Sequence, residues 1–213
     1  MSAGVMKWLG IPPILPVRRL ARYWKLSGKS TRASDISSPY AVSKVSAFYF
    51  TRYYRQAFGI HASVAIFYNH ESPRRTPEYV TRKITQSVAR ISLGKQEKLV
   101  LGDLSAKIDW GYAGEYMEAA WQLLQQPEAG DYILATGEAH SVEEFVQEAF
   151  NVVGLNPAGY LESNPAFMRP TKTSTLIGDT TKAQKAFGFS PKIRFKELVE
   201  MMVKADLEME EST

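Results

Sequence analysis

Cysteine is absent from these 213 residues, and histidine occurs three times, at His61, His70 and His140. No disulfide scaffold, thiolate zinc site or thiol nucleophile can exist, and a reducing compartment fits the composition. The histidines lack ligand spacing, which argues against a metal site. Also missing is any stretch near the ~18 uninterrupted apolar residues that a membrane-spanning helix needs, so no helical span is expected. What is present is 45% hydrophobic, 12% aromatic and 23% charged residues. Such a mixture belongs to a folded globular chain, and one domain is the default at this length.

Acidic residues are scarce in one place. Residues 1–37 hold seven basic side chains (Lys7, Arg18, Arg19, Arg22, Lys25, Lys29, Arg32) and one acidic, Asp35. Of the chain's 26 basic and 22 acidic residues, 19 and 21 therefore lie beyond Ser37, leaving that body at −2. The net charge of +4 is a property of the leading segment, and a nucleic-acid-binding body is not supported. Residues 1–36 are read as a separate basic segment, with 37–213 as the folded region. Arg, Lys and Ser interleaved with Trp8, Leu9, Leu20 and Trp24 suit a transit peptide. They equally suit a basic membrane-surface segment or translated sequence under no selection for folding.

The body alternates helices and strands. Ser38 and Pro39 open a helix running to about Phe58, where Gly59 stops it. A strand is expected within Ala62–Tyr68, a polar loop over Asn69–Pro77, and a helix over Tyr79–Leu93 closed by Gly94. Short strands follow at Leu99–Leu101 and Tyr132–Ala135. Between them lies an amphipathic helix, Tyr112–Gln126, with Tyr116, Ala119, Ala120, Leu123 and Leu124 on its apolar stripe. Ser141 and Glu144 form a capping box for a helix to about Val153. Thr181–Phe187 and Phe195–Glu210 complete the series. Strands separated by helices of this length make the fold class α/β.

Tyr40 and Lys44 fall at i and i+4 on the first helix, so both side chains occupy one face. A phenol titrates near 10 and becomes a base only where a cation favours the phenolate, which Lys44 could do. The spacing alone is common on helix surfaces. Its surroundings are more specific: Ser38-Pro-Tyr-Ala-Val-Ser-Lys44, Phe67-Tyr-Asn-His-Glu-Ser-Pro-Arg-Arg75, Val80-Thr-Arg-Lys-Ile84, Asp109-Trp-Gly and Arg169-Pro170. Over about residues 37–208 the chain closely resembles the GDP-mannose 4,6-dehydratase family of extended short-chain dehydrogenase/reductases.

The resemblance implies the C-terminal portion of that fold: a truncated NAD(P)-binding, Rossmann-like layer plus a nucleotide-sugar-binding region. It implies Tyr40 as the base acting on the sugar 4-hydroxyl during hydride transfer to NADP, with Lys44 supporting it and binding the nicotinamide ribose. His70 and Arg75 match dinucleotide contacts. Asn69 matches a contact to the substrate diphosphate, and Lys83 and Arg169 match positions lining the GDP-mannose site. A homo-oligomer and a cytoplasmic location are further expectations of the same kind. Read without the family, Arg74 and Arg75 form a solvated loop pair, His70 a loop cap and Asn69 a chain-turning residue.

Departures accompany the matches. The Gly-x-x-Gly-x-x-Gly turn that would bind the cofactor pyrophosphate is not found, since residues 1–37 offer only Gly4, Gly10 and Gly28. A Ser/Thr-x-Glu motif before Tyr40 is also missing, leaving the dehydration step without its base. Ile108, Tyr112, Lys172 and Ser174 stand where the family has Arg, His, an acidic residue and Asp. Two expectations result: dehydratase chemistry by ancestry, or a non-catalytic remnant acting as an interaction module. The onset of the motifs near Ser37 suggests a change of reading frame or a misplaced gene start. Uncovered apolar faces are expected, because parallel strands are normally buried on both sides.

Overall fold

The computed structural model describes residues 39–167, 175 and 177–212. The leading segment 1–36, Ser38 (expected as an N-cap), and Arg169, Lys172 and Ser174 lie outside these residues.

The chain begins with α1 (Pro39–Phe58), followed by β1 (Val64–Phe67), β2 (Asn69–Glu71) and α2 (Val80–Ser92). Next come β3 (Leu99–Leu101), β4 (Lys107–Ile108), β5 (Trp110–Tyr112) and α3 (Ala113–Leu124). Then follow β6 (Asp131–Leu134), β7 (His140–Ser141), α4 (Val142–Val152), β8 (Leu161–Ser163), α5 (Thr181–Phe187) and α6 (Phe195–Glu211). Among the described residues the strands form pairs: β1 with β6, β2 with β5 and β3 with β8 are parallel, and β4 with β7 is antiparallel. Parallel neighbours joined through helices make this an α/β layer, as the alternation predicts.

The stretch expected to be a polar loop over Asn69–Pro77 is corrected at its start. Asn69–Glu71 is a strand, with Asn69 opposite Trp110 and Glu71 opposite Tyr112. Three residues are too few to show a period of two, and the pairing partner is distant in sequence. The same reason hides β4, β5, β7 and β8. On α3 the apolar stripe is narrower than expected: Tyr116, Ala119 and Leu123 are buried, whereas Leu124 faces solvent.

The larger core lies between α2, α4 and α6, with β3 beneath. Ile84, Val88, Leu99, Phe145, Phe150, Leu198 and Met202 are fully enclosed there. A smaller cluster joins Tyr116, Leu123, Leu134, Ala183 and Phe189 across α3, β6 and α5. The capping box is formed as expected: Glu144 N donates to Ser141 Oγ at 3.0 Å, and Ser141 N donates to Glu144 Oε2 at 2.6 Å. That donated N–H holds the Glu144 carboxyl below its usual titration range. Ser141→Ala should remove about 1 kcal/mol of stability, measured as a lower urea midpoint at unchanged slope.

Helix α1 differs from the others. It carries seven aromatic residues but buries no residue, leaving Tyr49, Phe50, Tyr54 and Phe58 substantially exposed. These are uncovered apolar faces of the kind expected from the sequence. Its ties to the body include ion pairs from Arg52 (3.7 Å) and Arg55 to Asp131 at the start of β6.

Candidate active site

Tyr40 and Lys44 lie one turn apart near the start of α1, and Lys44 Nζ stands 5.3 Å from the Tyr40 ring centroid. The i, i+4 reading of a shared face is thus met. Tyr40 is 71% exposed, so its hydroxyl faces open solvent beside the bare side of the helix. Among the described residues no hydrogen bond or ion pair joins this pair to His70 or Arg75.

The β2 strand and the turn after it carry the next group. Asn69 is exposed on β2. His70 is half-buried against Phe67 and Tyr116, with ring centroids 5.3 and 5.7 Å away. Its Nδ1 lies 2.9 Å from the Tyr68 carbonyl, and because a carbonyl only accepts, Nδ1 is the protonated nitrogen. Nε2 is then the acceptor. This is the local cap foreseen for His70, and it leaves one ring nitrogen for other work.

Arg75 is not the solvated loop residue of the family-free reading. Its guanidinium carbon lies 3.4 Å from the Tyr79 ring centroid, and its Nε pairs with Glu71 Oε2 at 3.2 Å. Arg74, by contrast, is exposed. Glu71 is 2% exposed and accepts from the Thr81 hydroxyl at 2.7 Å. Burial pushes the Glu71 carboxyl above its usual range, against the opposing pull of Thr81 and Arg75. Beneath the turn, Arg82 donates to the carbonyls of Pro73 and Arg75, the latter at 3.1 Å, while its own charge is met by Asp206 at 2.6 Å.

Lys83 occupies a separate place on α2. Its ammonium donates to the Val100 carbonyl at 2.7 Å and sits 4.6 Å from the exposed Phe167 ring. Lys83 is therefore directed at the edge of β3 and at the segment leading to Arg169. Arg169 itself is outside the described residues.

Two carboxylates not singled out in the sequence organise the surroundings. Asp109, 1% exposed, accepts from Thr136 N (2.9 Å), Thr136 Oγ1 (2.6 Å), Gly137 N (3.1 Å) and Gly178 N (3.2 Å). It fastens the end of β6 to the segment preceding α5. Gly178 is required there because a Cβ would run into Ala135, with Ile133 Cγ2 3.2 Å away. Asp131 collects the two α1 arginines described above. Of the family departures, Ile108 pairs with His140 across β4 and β7, and Tyr112 is the half-buried N-cap residue of α3. A cleft of about 220 Å³ between α3 and the α5–α6 connection, lined by Glu115, Glu118, Gln122 and Lys192, contains none of the residues carried over from the family.

The family profile described as GDP-mannose 4,6 dehydratase matches residues 29–202. The chain belongs to this family. GDP-mannose 4,6 dehydratase 1 of Arabidopsis thaliana is 48% identical over 172 residues, covering 81% of this chain and 48% of that protein. GDP-mannose 4,6-dehydratase sdnI of Sordaria araneosa is 46% identical over 240 residues, covering 99% of this chain and 44% of its own length. The chain thus spans about half the length of these GDP-mannose 4,6-dehydratases. The family match starts eight residues before Ser37.

Solved structures agree on the fold. RMD from Pseudomonas aeruginosa, solved with NADPH, aligns at a TM-score of 0.75 and 20% identity, over 86% of this chain and 64% of that one. A dTDP-glucose 4,6-dehydratase from Bacillus anthracis, solved with NAD, aligns at 0.72 and 21% identity, over 87% and 58%. This is a partial Rossmann-like layer of an extended short-chain dehydrogenase, as the GDP-mannose 4,6-dehydratase resemblance implies.

Proposed function

We propose that this chain carries the Tyr-x-x-x-Lys and sugar-nucleotide side of the GDP-mannose 4,6-dehydratase reaction, and that these 213 residues do not complete the reaction by themselves. The observation that supports it is the family match across most of the chain with Tyr40 and Lys44 on one exposed helix face. A phenol, an ammonium, an imidazole and a guanidinium are donors suited to the ribose and phosphates of a dinucleotide, so the residues present fit NADP. Bound NADP supplies hydride exchange at the sugar. Tyr40 takes the proton from the 4-hydroxyl, and Lys44 lowers the cost of the phenolate and holds the ribose. His70 and Arg75 bind the dinucleotide, Asn69 the substrate diphosphate, and Lys83 and Arg169 the GDP-mannose nucleotide. The reading includes a cytoplasmic homo-oligomer, for which the bare aromatic face of α1 is the supporting feature.

A second reading, a homologue without turnover, is favoured by Ile108, which stands where the family has Arg. An Arg-to-Ile change removes a cation from a phosphate-facing position. Both readings meet in one assay. Titrated with NADPH, the 213-residue chain should show no saturation below about millimolar, an affinity near −4 kcal/mol. It should form no 4-keto-6-deoxy product from GDP-mannose. Joined to the N-terminal half of the Arabidopsis relative, it should form that product, and Tyr40→Phe should slow the reaction about 10²–10⁴-fold. Product from the chain alone would overturn the second clause of the proposal. Turnover of the joined protein that is indifferent to Tyr40→Phe would overturn the first.

A further inference from the structure

Tyr116 is fully enclosed on α3, yet among the described residues its hydroxyl meets no hydrogen-bond partner. A buried hydroxyl left unpaired opposes folding, so its position needs a reason. Burial pushes the phenol far above its usual range, so it keeps its proton and does not serve as a base. The ring lies against one rung of the β2–β5 pair. Its hydroxyl end rests on Gly111, where a Cβ would stand 2.4 Å from the oxygen and 2.7 Å from Cε1 and Cζ. Directly opposite Gly111 in that pair is His70. The Tyr116 and His70 ring centroids are 5.7 Å apart, with the planes 33° from parallel. Phe67 completes the group, 6.2 Å from Tyr116 and 5.3 Å from His70. Phe189 meets Tyr116 edge-on at 5.9 Å.

Held this way, His70 has little freedom. Its Nδ1–H donates to the Tyr68 carbonyl at 2.9 Å, and two rings confine the imidazole. Nε2 has no hydrogen bond among the described residues and is not enclosed, so its lone pair is open to a ligand. We propose that Tyr116 is a positioning residue: seated in the notch left by Gly111, it fixes the His70 imidazole as the Nδ1–H tautomer and so presents Nε2 as an acceptor. An acceptor takes donors. The ligand group selected is a hydroxyl or an amide N–H, whereas an ionised phosphate oxygen only accepts and gains nothing there. Tyr116 does not touch the ligand. It acts through His70, by removing the rotamers that would break the Tyr68 bond. Gly111 belongs to the same device, since any side chain there would drive the Tyr116 ring off the rung. In the dinucleotide of the proposed function a ribose hydroxyl or the carboxamide qualifies. The inference rests on that reading for the ligand and not for the state of the imidazole.

The test uses the full chain labelled with ¹⁵N-histidine, whose three imidazoles are His61, His70 and His140. Long-range ¹⁵N–¹H spectra distinguish the protonated ring nitrogen from the bare one. Wild-type His70 should carry its proton on Nδ1, and an Nε2–H form would overturn the inference. Tyr116→Leu should raise the ratio of Nε2–H to Nδ1–H at His70 about three- to tenfold, the worth of one aromatic contact, with His61 and His140 unchanged. Gly111→Ala displaces the same ring, should act in the same direction, and serves if Tyr116→Leu does not fold. Tyr116→Met, unbranched and adaptable, serves if neither folds. Tyr116→Phe keeps the ring, so the His70 tautomer should match wild type, with a thermal midpoint equal or higher because the unpaired hydroxyl is gone. A purely structural role would lower the midpoint of Tyr116→Leu while leaving the His70 tautomer as it was, and would overturn the inference. So would a Tyr116→Phe variant whose His70 changes tautomer. NADP added above millimolar concentration then probes the ligand. A His70 that gains a second ring proton in its presence would overturn the preference for a donor. If the tautomer depends on Tyr116 but NADP moves no His70 resonance, the positioning role stands and the dinucleotide assignment of His70 fails. If NADP moves His70 equally in wild type and Tyr116→Leu, the assignment stands and the positioning role fails.

Discussion

Asp109→Ala should cost the chain about 4 kcal/mol or more, since each buried donor left unpaired costs about 1–3 kcal/mol. Asp109 is enclosed and accepts from three backbone N–H groups and one hydroxyl. The donors come from Thr136, Gly137 and Gly178, two segments with no other covalent reason to stay adjacent. Asp109→Asn separates shape from chemistry. The amide matches the carboxylate in size but must turn its NH₂ toward donors, so it should still lose about half of the alanine effect. Denaturation in urea measures both. An Asn variant as stable as wild type would show that packing, not acceptance, fixes this junction. Arg194 should feel the loss as well, because its Nη1 donates to Thr136 O at 3.1 Å and depends on the same turn.

The elements that could be read from the sequence are those whose signals are local. Leu99–Leu101 and Thr181–Phe187 fall where propensity and turn residues place them. Gly188 ends the latter helix with φ of +73°, a conformation glycine adopts without strain. Ser141 and Glu144 announce α4 through a three-residue spacing that itself is the hydrogen-bonding pattern. Tyr40 and Lys44 are legible for the same reason: four residues make one turn. The other short strands are not, because β8 becomes a strand only by meeting β3, Leu161 against Leu99.

The candidate site divides along the same line. His70 and Arg75 stand out as residue types with chemistry, yet nothing in the chain order shows that Nδ1 of His70 is committed to Tyr68, or that Arg75 lies on Tyr79. Asp109 is visible only as part of Asp-Trp-Gly, with no hint of its four partners. A carboxylate's burial depends on what folds over it, and Asp109 meets Gly178 across 69 residues of sequence. Arg82 and Asp206, 124 residues apart, read as ordinary charges on two amphipathic helices. Pairing partners at that separation are set by how α2 and α6 pack, which periodicity does not encode.

Breaking that pair is the other large effect. Arg82 and Asp206 are both buried, linked at 2.6 and 2.8 Å between α2 and α6. Burial pushes the Asp206 carboxyl above its usual range, against the pull of Thr85 and Arg82. Desolvation therefore outweighs the attraction, and the pair is costly to divide without being a strong net stabiliser. Asp206→Ala strands a guanidinium that cannot shed its charge, and should cost about 3–5 kcal/mol across the pH range where the protein folds. Arg82→Met strands a carboxyl that can take a proton. Because the folded-state pKa is the higher one, the native state binds that proton more tightly than the unfolded chain does. Stability of Arg82→Met should then be best at acid pH and decline as pH rises through the raised folded value, with the wild type following the same direction less steeply. Replacing both residues with methionine should cost less than Asp206→Ala, the remaining loss coming from the Pro73 and Arg75 carbonyls that Arg82 no longer holds. Equal penalties for Asp206→Ala and Arg82→Met at every pH would show that the two helices respond to lost packing alone, and that the charges contribute nothing of their own.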